Sequence, residues 1–196
     1  MKTFTRKPLG LAILAALVAV GLFALASPVG AAAPARGSDG EWAVCMEHPT
    51  LHISPPLTLD TPHPATVTAS DVLENCISSD PTISRGIAYI NATTPSASCQ
   101  SGTSNGVARI RWNNGRTSRV EFSASFAAGF AHTTSGHATG GSEFVGKSFA
   151  ALDHLTVDAV ALQLCSTPSF GLATLASDGV IAIGDPPTTD GVVWRP

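Results

Sequence analysis

From Trp42 onward, short apolar stretches alternate with clusters of Gly, Ser, Thr, Asn and Pro, and this spacing limits the fold more than any other feature. Only residues 148–164 are long and apolar enough to form an amphipathic helix. Short strands separated by turn residues are typical of antiparallel β-sandwiches and β-barrels. We therefore predict an all-β domain and leave sandwich and barrel as open alternatives.

The segment 148–164 fits two patterns. Its apolar residues follow a helical stripe, but its middle mixes in residues that favour strands, and this favours a strand over 155–164. The remaining apolar stretches are assigned by the same reasoning. The predicted strands lie near 42–46, 65–69, 83–90, 106–112, 117–126, 143–149, 155–164, 170–176 and 179–184.

A hairpin is predicted around Asn113-Asn114-Gly115, because apolar residues occupy even positions on both sides of it. Residues that face each other across an antiparallel pair lie on the same side of the sheet. Even positions must therefore pair with even positions, which requires a loop of odd length. A three-residue loop with Gly115 in the left-handed region meets this condition. The opposite face then carries Arg109, Arg111, Thr117, Arg119 and Glu121 toward solvent.

The chain contains four cysteines, Cys45, Cys76, Cys99 and Cys165. An even number of cysteines in an exported chain predicts structural disulfides, here two. None lies in a C-x-x-C pair, which argues against zinc binding and thiol redox chemistry. Three pairings are possible, and the sequence alone does not choose among them. We prefer Cys45–Cys76 with Cys99–Cys165, because these two bridges are not nested.

The N-terminus has the pattern of a secretory signal peptide. Three basic residues precede an apolar run over residues 9–26, and small residues follow it. We expect cleavage after Ala35, because Ala33 and Ala35 form the A-x-A pair that signal peptidase recognises. An uncleaved N-terminal anchor remains an alternative, since the apolar run is close to the length that spans a bilayer.

Cleavage at this point divides the chain into a signal peptide over 1–35, a flexible lead-in over 36–41 and a single β domain over 42–196. The mature chain would keep 8 basic and 14 acidic residues, a net charge of −6. Such a charge argues against a nucleic-acid partner. We therefore expect a secreted, extracellular bacterial protein that has no membrane association after cleavage.

A resemblance supports these expectations. The four spaced cysteines, the segment from Trp112 to Ser118 and the later segment 140–146 resemble those of uncharacterised small secreted β-rich proteins of actinobacteria. The resemblance covers most of residues 42–184. It implies export and a β-rich fold, and it assigns no functional residue.

Two segments match catalytic motifs letter for letter. Residues 141–148 match the phosphate-binding loop G-x-x-x-x-G-K-[ST], but a polar loop is predicted before them where a buried strand is required. Residues 102–106 match the nucleophile elbow G-x-S-x-G, with Asp153 and His154 following in the order that hydrolases use. A strand is predicted directly after Ser104, where the elbow requires a helix. We therefore predict no catalytic residue and no cofactor.

The six histidines suggest a metal site, since imidazole is a common zinc ligand. His48 and His52 are four residues apart in a segment interrupted by prolines. On an extended chain they would lie about 13 Å apart, too far to bind one ion. His132 and His137 fall in a predicted loop. We therefore predict no metal site.

A cluster of arginines is the one local feature that folding does not require. Arg109, Arg111, Arg116 and Arg119 lie within 11 residues of a chain whose net charge is negative. As the binding site we predict Arg109, Arg111 and Arg119, with an anionic cell-envelope polymer or an acidic protein as partner. The alternative is the solvated face of a hairpin, partly paired with Glu121.

These observations favour a secreted non-catalytic β domain with a surface, matrix or interaction role. A secreted hydrolase and a secreted inhibitor that presents a rigid loop over 95–99 are the alternatives. A concave pocket with clustered polar groups would favour an enzyme. A flat exposed patch or a projecting loop would favour binding.

Overall fold

A computed structural model describes residues 40–59, 61–127, 131–156, 159–167 and 171–186. The predicted signal peptide and its cleavage site lie outside these residues. The described part contains nine strands and one short helix. In chain order they are β1 (Ala43–Glu47), β2 (Thr50–Leu57), β3 (His63–Ser78), β4 (Gly86–Ala97), β5 (Gly102–Trp112), β6 (Thr117–Phe126), β7 (Ala131–Gly141), β8 (Ser148–Thr156), α1 (Ala159–Ser166) and β9 (Leu172–Ile183).

The strands form a closed antiparallel barrel. Neighbours follow the order β3-β2-β9-β8-β7-β6-β5-β4, and β4 pairs back with β3. β1 is an additional strand that lies end to end with β2, because both pair with β3 on one side and β9 on the other. The all-β prediction is confirmed, and of its two alternatives the structure adopts the barrel. No helix in the described ranges is long and apolar enough to cross a membrane.

Two apolar clusters fill the two ends of the barrel. One contains Trp112 and Phe144, whose rings meet edge to face at 5.6 Å. The other contains Leu57 and Leu172, near α1. Many interior positions between the strands are alanines, which suits the narrow interior of an eight-stranded barrel.

The predicted hairpin is confirmed. β5 and β6 pair in the expected register, with Ala108 opposite Val120 and Arg111 opposite Thr117. The loop has three residues, and Gly115 has a φ of 84°. The apolar even-numbered residues lie inside the barrel or at its edge, as the parity of the pattern requires.

The preferred disulfide pairing is also confirmed. Cys45–Cys76 joins β1 to β3, and Cys99–Cys165 joins the turn after β4 to α1. The second bridge therefore holds the helix against the barrel end that contains Leu57.

The strand predicted over 155–164 is wrong for most of its length. β8 ends at Thr156, and residues 159–166 form α1. Alanine, leucine and glutamine dominate this segment, and they are among the better helix formers. The helical stripe in the sequence was therefore the better guide for the second half of the segment.

The region 131–149 also differs from the prediction. β7 occupies a segment that we expected to be a polar loop, while the strand expected over 143–149 begins only at Ser148. A turn precedes it, in which Phe144 has a φ of 59° and is buried against Trp112. β7 lacks an apolar pattern because its interior positions carry small or polar residues.

Three further differences concern strand number and length. β2 was not predicted, because its prolines are typical of loops. The two strands expected over 170–176 and 179–184 are one strand, β9, which passes through Gly179. β3 and β4 are longer than expected because they pair with each other over ten residue positions.

Candidate functional site in the barrel interior

A polar layer separates the two apolar clusters of the barrel. Its members point inward from five strands and are buried or nearly so. They are Glu47 on β1, Asp71 on β3, Asp153 on β8, Ser177 on β9, and His132 and Thr134 on β7. Burying three carboxyl groups in one layer is energetically costly unless protons or hydrogen bonds compensate their charge.

Three residues of this layer and one glycine form a row across neighbouring strands, which we call the polar row. Glu47 lies opposite Gly179, Gly179 opposite Asp153, and Asp153 opposite His132. A Cβ atom at Gly179 would collide with Oδ1 of Asp153 and with the carbonyl oxygen of Leu152. The missing side chain at Gly179 therefore gives the carboxyls of Glu47 and Asp153 the space to meet above β9.

His132 and Asp153 form a hydrogen-bonded pair. The distance from His132 Nδ1 to Asp153 Oδ2 is 2.9 Å, and only 18% of the histidine side chain and 6% of the aspartate side chain are exposed. The distance is that of a hydrogen bond, in which a protonated Nδ1 would donate to the carboxyl oxygen. Within the described residues, Nε2 of His132 makes no hydrogen bond.

Glu47 is the most strongly perturbed group of the row. Burial raises the pKa of Glu47 from 4.5 to about 11, and the neighbouring carboxyl groups of Asp153 and Asp71 raise it further. Burial also raises the pKa of Asp71, although the backbone N–H of His48 opposes the shift by donating to its Oδ1 at 3.1 Å. Glu47 is therefore protonated at neutral pH.

A cavity of about 120 Å³ lies beside this row. Its wall includes the polar residues Glu47, Thr94, His132, Asp153 and Ser177. Most of the wall is apolar and includes Leu51, Ile53, Leu57, Ile90, Phe122 and Leu175. The interior thus offers a mostly apolar space whose wall contains a few polar residues.

Several polar atoms of this wall have no hydrogen-bond partner in the described part of the chain. They are Glu47 Oε1, Asp153 Oδ1, Thr94 Oγ1 and Ser177 Oγ. Buried polar atoms are hydrogen-bonded in most native structures, because an unsatisfied buried group costs about 1–3 kcal/mol. A molecule in the cavity could supply the missing partners.

The three arginines predicted as a binding site lie together on the outer surface of the barrel. Arg109 on β5 is directly opposite Arg119 on β6 and Tyr89 on β4, and Arg111 follows two residues later on β5. These side chains border a shallow depression of about 280 Å³. Arg119 contacts Glu121 at 2.9 Å. Arg109 and Arg111 form no ion pair with any described residue.

Arg116 does not belong to this surface. Its guanidinium contacts the buried carboxylate of Glu143 at 2.6 Å and Asp80 at 3.6 Å. The hydrogen bond and charge of Glu143 raise the pKa of Arg116 further. Arg116 therefore neutralises a buried carboxylate at the end of the barrel, and the cluster contains three arginines rather than four.

Neither catalytic motif has the local structure that its chemistry requires. Residues 141–148 form a turn followed by strand β8, where a phosphate-binding loop needs a helix. Residues 102–106 lie within β5, and Ser104 borders the interior cavity. Asp153 and His154 point to opposite faces of β8.

Two of the histidines are paired with carboxylates. His48 contacts Asp178 at 2.7 Å on the outer surface, and His132 contacts Asp153 inside. The described residues contain no group of three or more His, Cys, Asp or Glu side chains arranged to hold a metal ion.

The polar row was not predicted from the sequence, although the sequence contains a signal for two of its members. Asp153 is in phase with Ala151 and Leu155, which face the interior, and Glu47 is in phase with Ala43 and Cys45. Apolar and polar residues normally alternate along such strands, and a carboxylate at an apolar position breaks this alternation. Exceptions of this kind mark functional or strained sites.

No protein-family model, curated protein or solved structure matches this chain.

Proposed function

We propose that this protein is a secreted, non-catalytic binding protein that holds a small, mostly apolar molecule inside its barrel. The observation that carries the proposal is the apolar cavity, whose wall contains buried polar atoms without partners. An apolar ligand is stabilised by about 25 cal/mol for each Å² of apolar surface that it buries. The unsatisfied polar atoms would orient one polar group of the ligand.

Export is part of the proposal. Two disulfides support it, because such bridges persist in oxidising compartments. The apolar run and the A-x-A pair of the N-terminal sequence also support export.

A titration with toluene, followed by amide NMR of the folded, oxidised protein, tests the proposal. An engineered apolar cavity of about 150 Å³ binds benzene, so a one-ring molecule is a suitable probe. We expect saturable shifts at Leu155 and Leu175, which border the cavity, and none at Arg109 on the outer surface. A second titration uses benzylamine, which has one ring and an amino group. If neither toluene nor benzylamine produces saturable shifts, the proposal is refuted.

Hydrolysis remains the alternative, and the structure favours it more than the sequence did, because the pocket is concave and its polar groups cluster. A hydrolase that uses a serine nucleophile needs that serine within hydrogen-bonding distance of a base. Neither Ser104 nor Ser177 makes a hydrogen bond to His132 in the described residues. The contacts of these two serines therefore give no support to a serine-nucleophile mechanism, whereas the apolar cavity supports binding.

The proposal of an inhibitor loop over 95–99 has less support. Residues 95–97 belong to β4, and both Ala97 and Ser98 are buried. This segment therefore lies against the barrel instead of projecting from it.

A second candidate function is the binding of an anionic cell-envelope polymer to the outer surface. The specific observation is that Arg109, Arg111, Arg119 and Tyr89 border one depression. Replacing the three arginines with serine should abolish sedimentation with purified cell walls at low salt, while R85S, which removes an exposed arginine elsewhere, should not. Unchanged sedimentation of the triple variant would refute this candidate.

A further inference from the structure

We propose that the molecule bound in the barrel carries a protonated amine, which occupies the space beside Glu47 and Asp153 and releases the proton held by Glu47. This inference rests on the proposed binding function and names the chemical class of its ligand. The ligand would be a small organic amine with an apolar body.

The charge of the interior supports a cationic ligand. The polar layer contains three carboxyl groups, on Glu47, Asp71 and Asp153, and one imidazole, on His132. No lysine or arginine is among the buried residues of the described ranges. A buried carboxylate without a cation is unstable, so in the free protein a proton on Glu47 takes the place of the missing positive charge.

The hydrogen-bonding capacity of the wall selects the same class of ligand. Two of its unpartnered atoms, Glu47 Oε1 and Asp153 Oδ1, belong to carboxyl groups, and Asp153 is 7% exposed. An ammonium group has three N–H donors and no acceptor, so it complements carboxylate oxygens. The hydroxyl of Ser177, 2% exposed, can also accept a hydrogen bond. The acceptor oxygens of an anionic ligand would not complement these carboxyl and hydroxyl oxygens in the same way.

The apolar part of the cavity determines the chemistry and size of the rest of the ligand. The side chains beyond the polar row are aliphatic or aromatic, among them Leu155, Leu175 and Phe122. A bare metal ion would leave this apolar space empty. A cavity of about 120 Å³ has room for a body of about one ring.

The net charge of the interior does not change when the amine binds. An organic ammonium ion enters with one positive charge, the carboxyl of Glu47 loses its proton to solvent, and the carboxylate that forms binds the ammonium. The groups that face Glu47 are Asp153 on β8 and Asp71 on β3, with His132 on β7 behind Asp153, while β9 contributes the uncharged Gly179 and Ser177. Binding of the amine should therefore strengthen as pH rises.

Calorimetric titration with benzylamine, toluene and phenylacetate provides the test, because these probes share a ring and differ in charge. At pH 7, we expect benzylamine to bind at least tenfold more tightly than toluene, and phenylacetate to bind more weakly than toluene. Titrations in buffers of different ionisation enthalpy should show release of about one proton per benzylamine. Its affinity should rise up to tenfold per pH unit between pH 6 and 8.

Two variants separate the roles of the carboxyls. E47Q should lose the pH dependence of its benzylamine affinity, and its proton release on binding benzylamine should fall by about one. D153N should lose the tighter binding of benzylamine relative to toluene. This variant provides a second test if E47Q does not fold.

The possible results distinguish the two proposals. Binding of toluene without tighter binding of benzylamine, or without proton release, would overturn the amine inference and leave the binding function intact. Tighter binding of phenylacetate would also overturn it. If none of the three probes binds, both proposals are wrong.

Discussion

The replacement of Glu47 by glutamine tests the electrostatics of the interior in the absence of any ligand. In the native state, burial holds the pKa of Glu47 at about 11, compared with 4.5 for the ordinary group. Above pH 4.5 the unfolded chain loses this proton and the native protein keeps it. The free energy of unfolding must therefore fall as pH rises through this range.

The magnitude at pH 7 depends mainly on the unfolded state, because the native pKa lies far above 7. Each pH unit above 4.5 costs about 1.4 kcal/mol, so the interval to pH 7 costs about 3 kcal/mol. The raised pKa of Asp71 adds a loss of the same sign. E47Q removes the larger contribution, since an amide does not titrate.

Urea unfolding at pH 5, 6 and 7 measures the effect. We expect the stability of the unmodified protein to fall steeply over this range and that of E47Q to fall by clearly less. The matched control is E121Q, which removes a carboxyl from the outer surface. Its curve should run parallel to that of the unmodified protein. Parallel curves for E47Q and the unmodified protein would refute the description of Glu47 as a buried neutral acid.

Three other predictions concern the fold and its processing. The pair C99A/C165A should cost about 4 kcal/mol and C45A/C76A slightly less, because the loops they close span 66 and 31 residues; equal stability of either variant and the unmodified protein in urea would contradict this. G115A should cost about 1 kcal/mol through its φ of 84° alone, since a Cβ there meets nothing within 4 Å, while G140A, with an ordinary φ, should cost close to nothing. The mature protein should begin at Arg36 by intact mass, and a product that retains Met1 would reject cleavage.

Local patterning predicted some elements of the fold well. The turn and the register of the β5–β6 hairpin were predicted to the residue, because the parity of two apolar patterns leaves one class of loop length, whereas β5 begins four residues before the predicted strand. The disulfide pairing that forms is the one preferred because its bridges are not nested, although the sequence left three pairings open. The hairpin could be predicted more firmly, because its information lies in residues that are close in sequence.

Other elements depend on contacts that local patterning does not contain. β7 has His132, Thr134, Gly136 and Ala138 at its interior positions, and this series lacks the apolar character of a strand. It is a strand because β6 and β8 supply its hydrogen-bonding partners. The closure of the sheet into a barrel likewise depends on pairing of β3 with β4 and with β2.

The candidate site also depends partly on local patterning and partly on contacts between distant parts of the chain. Single members of the polar row could have been found from their phase within a strand, as with Asp153. Their assembly could not, because Glu47, Gly179, Asp153 and His132 lie on four strands and meet only through the register of the closed sheet. The predicted arginines, by contrast, lie on two strands of one hairpin, and their common face followed from the hairpin alone.

The most direct test of an interior binding site is the dissociation constant of toluene for two variants of β8. Ala151 borders the cavity, and its neighbour Ala150 lies outside the cavity wall on the other face of the strand. A leucine at position 151 would occupy much of the cavity, so A151L should weaken toluene binding at least tenfold, which corresponds to about 1.4 kcal/mol. A150L introduces the same side chain and should bind toluene as the unmodified protein does. Equal dissociation constants for A151L and A150L would contradict the interior site.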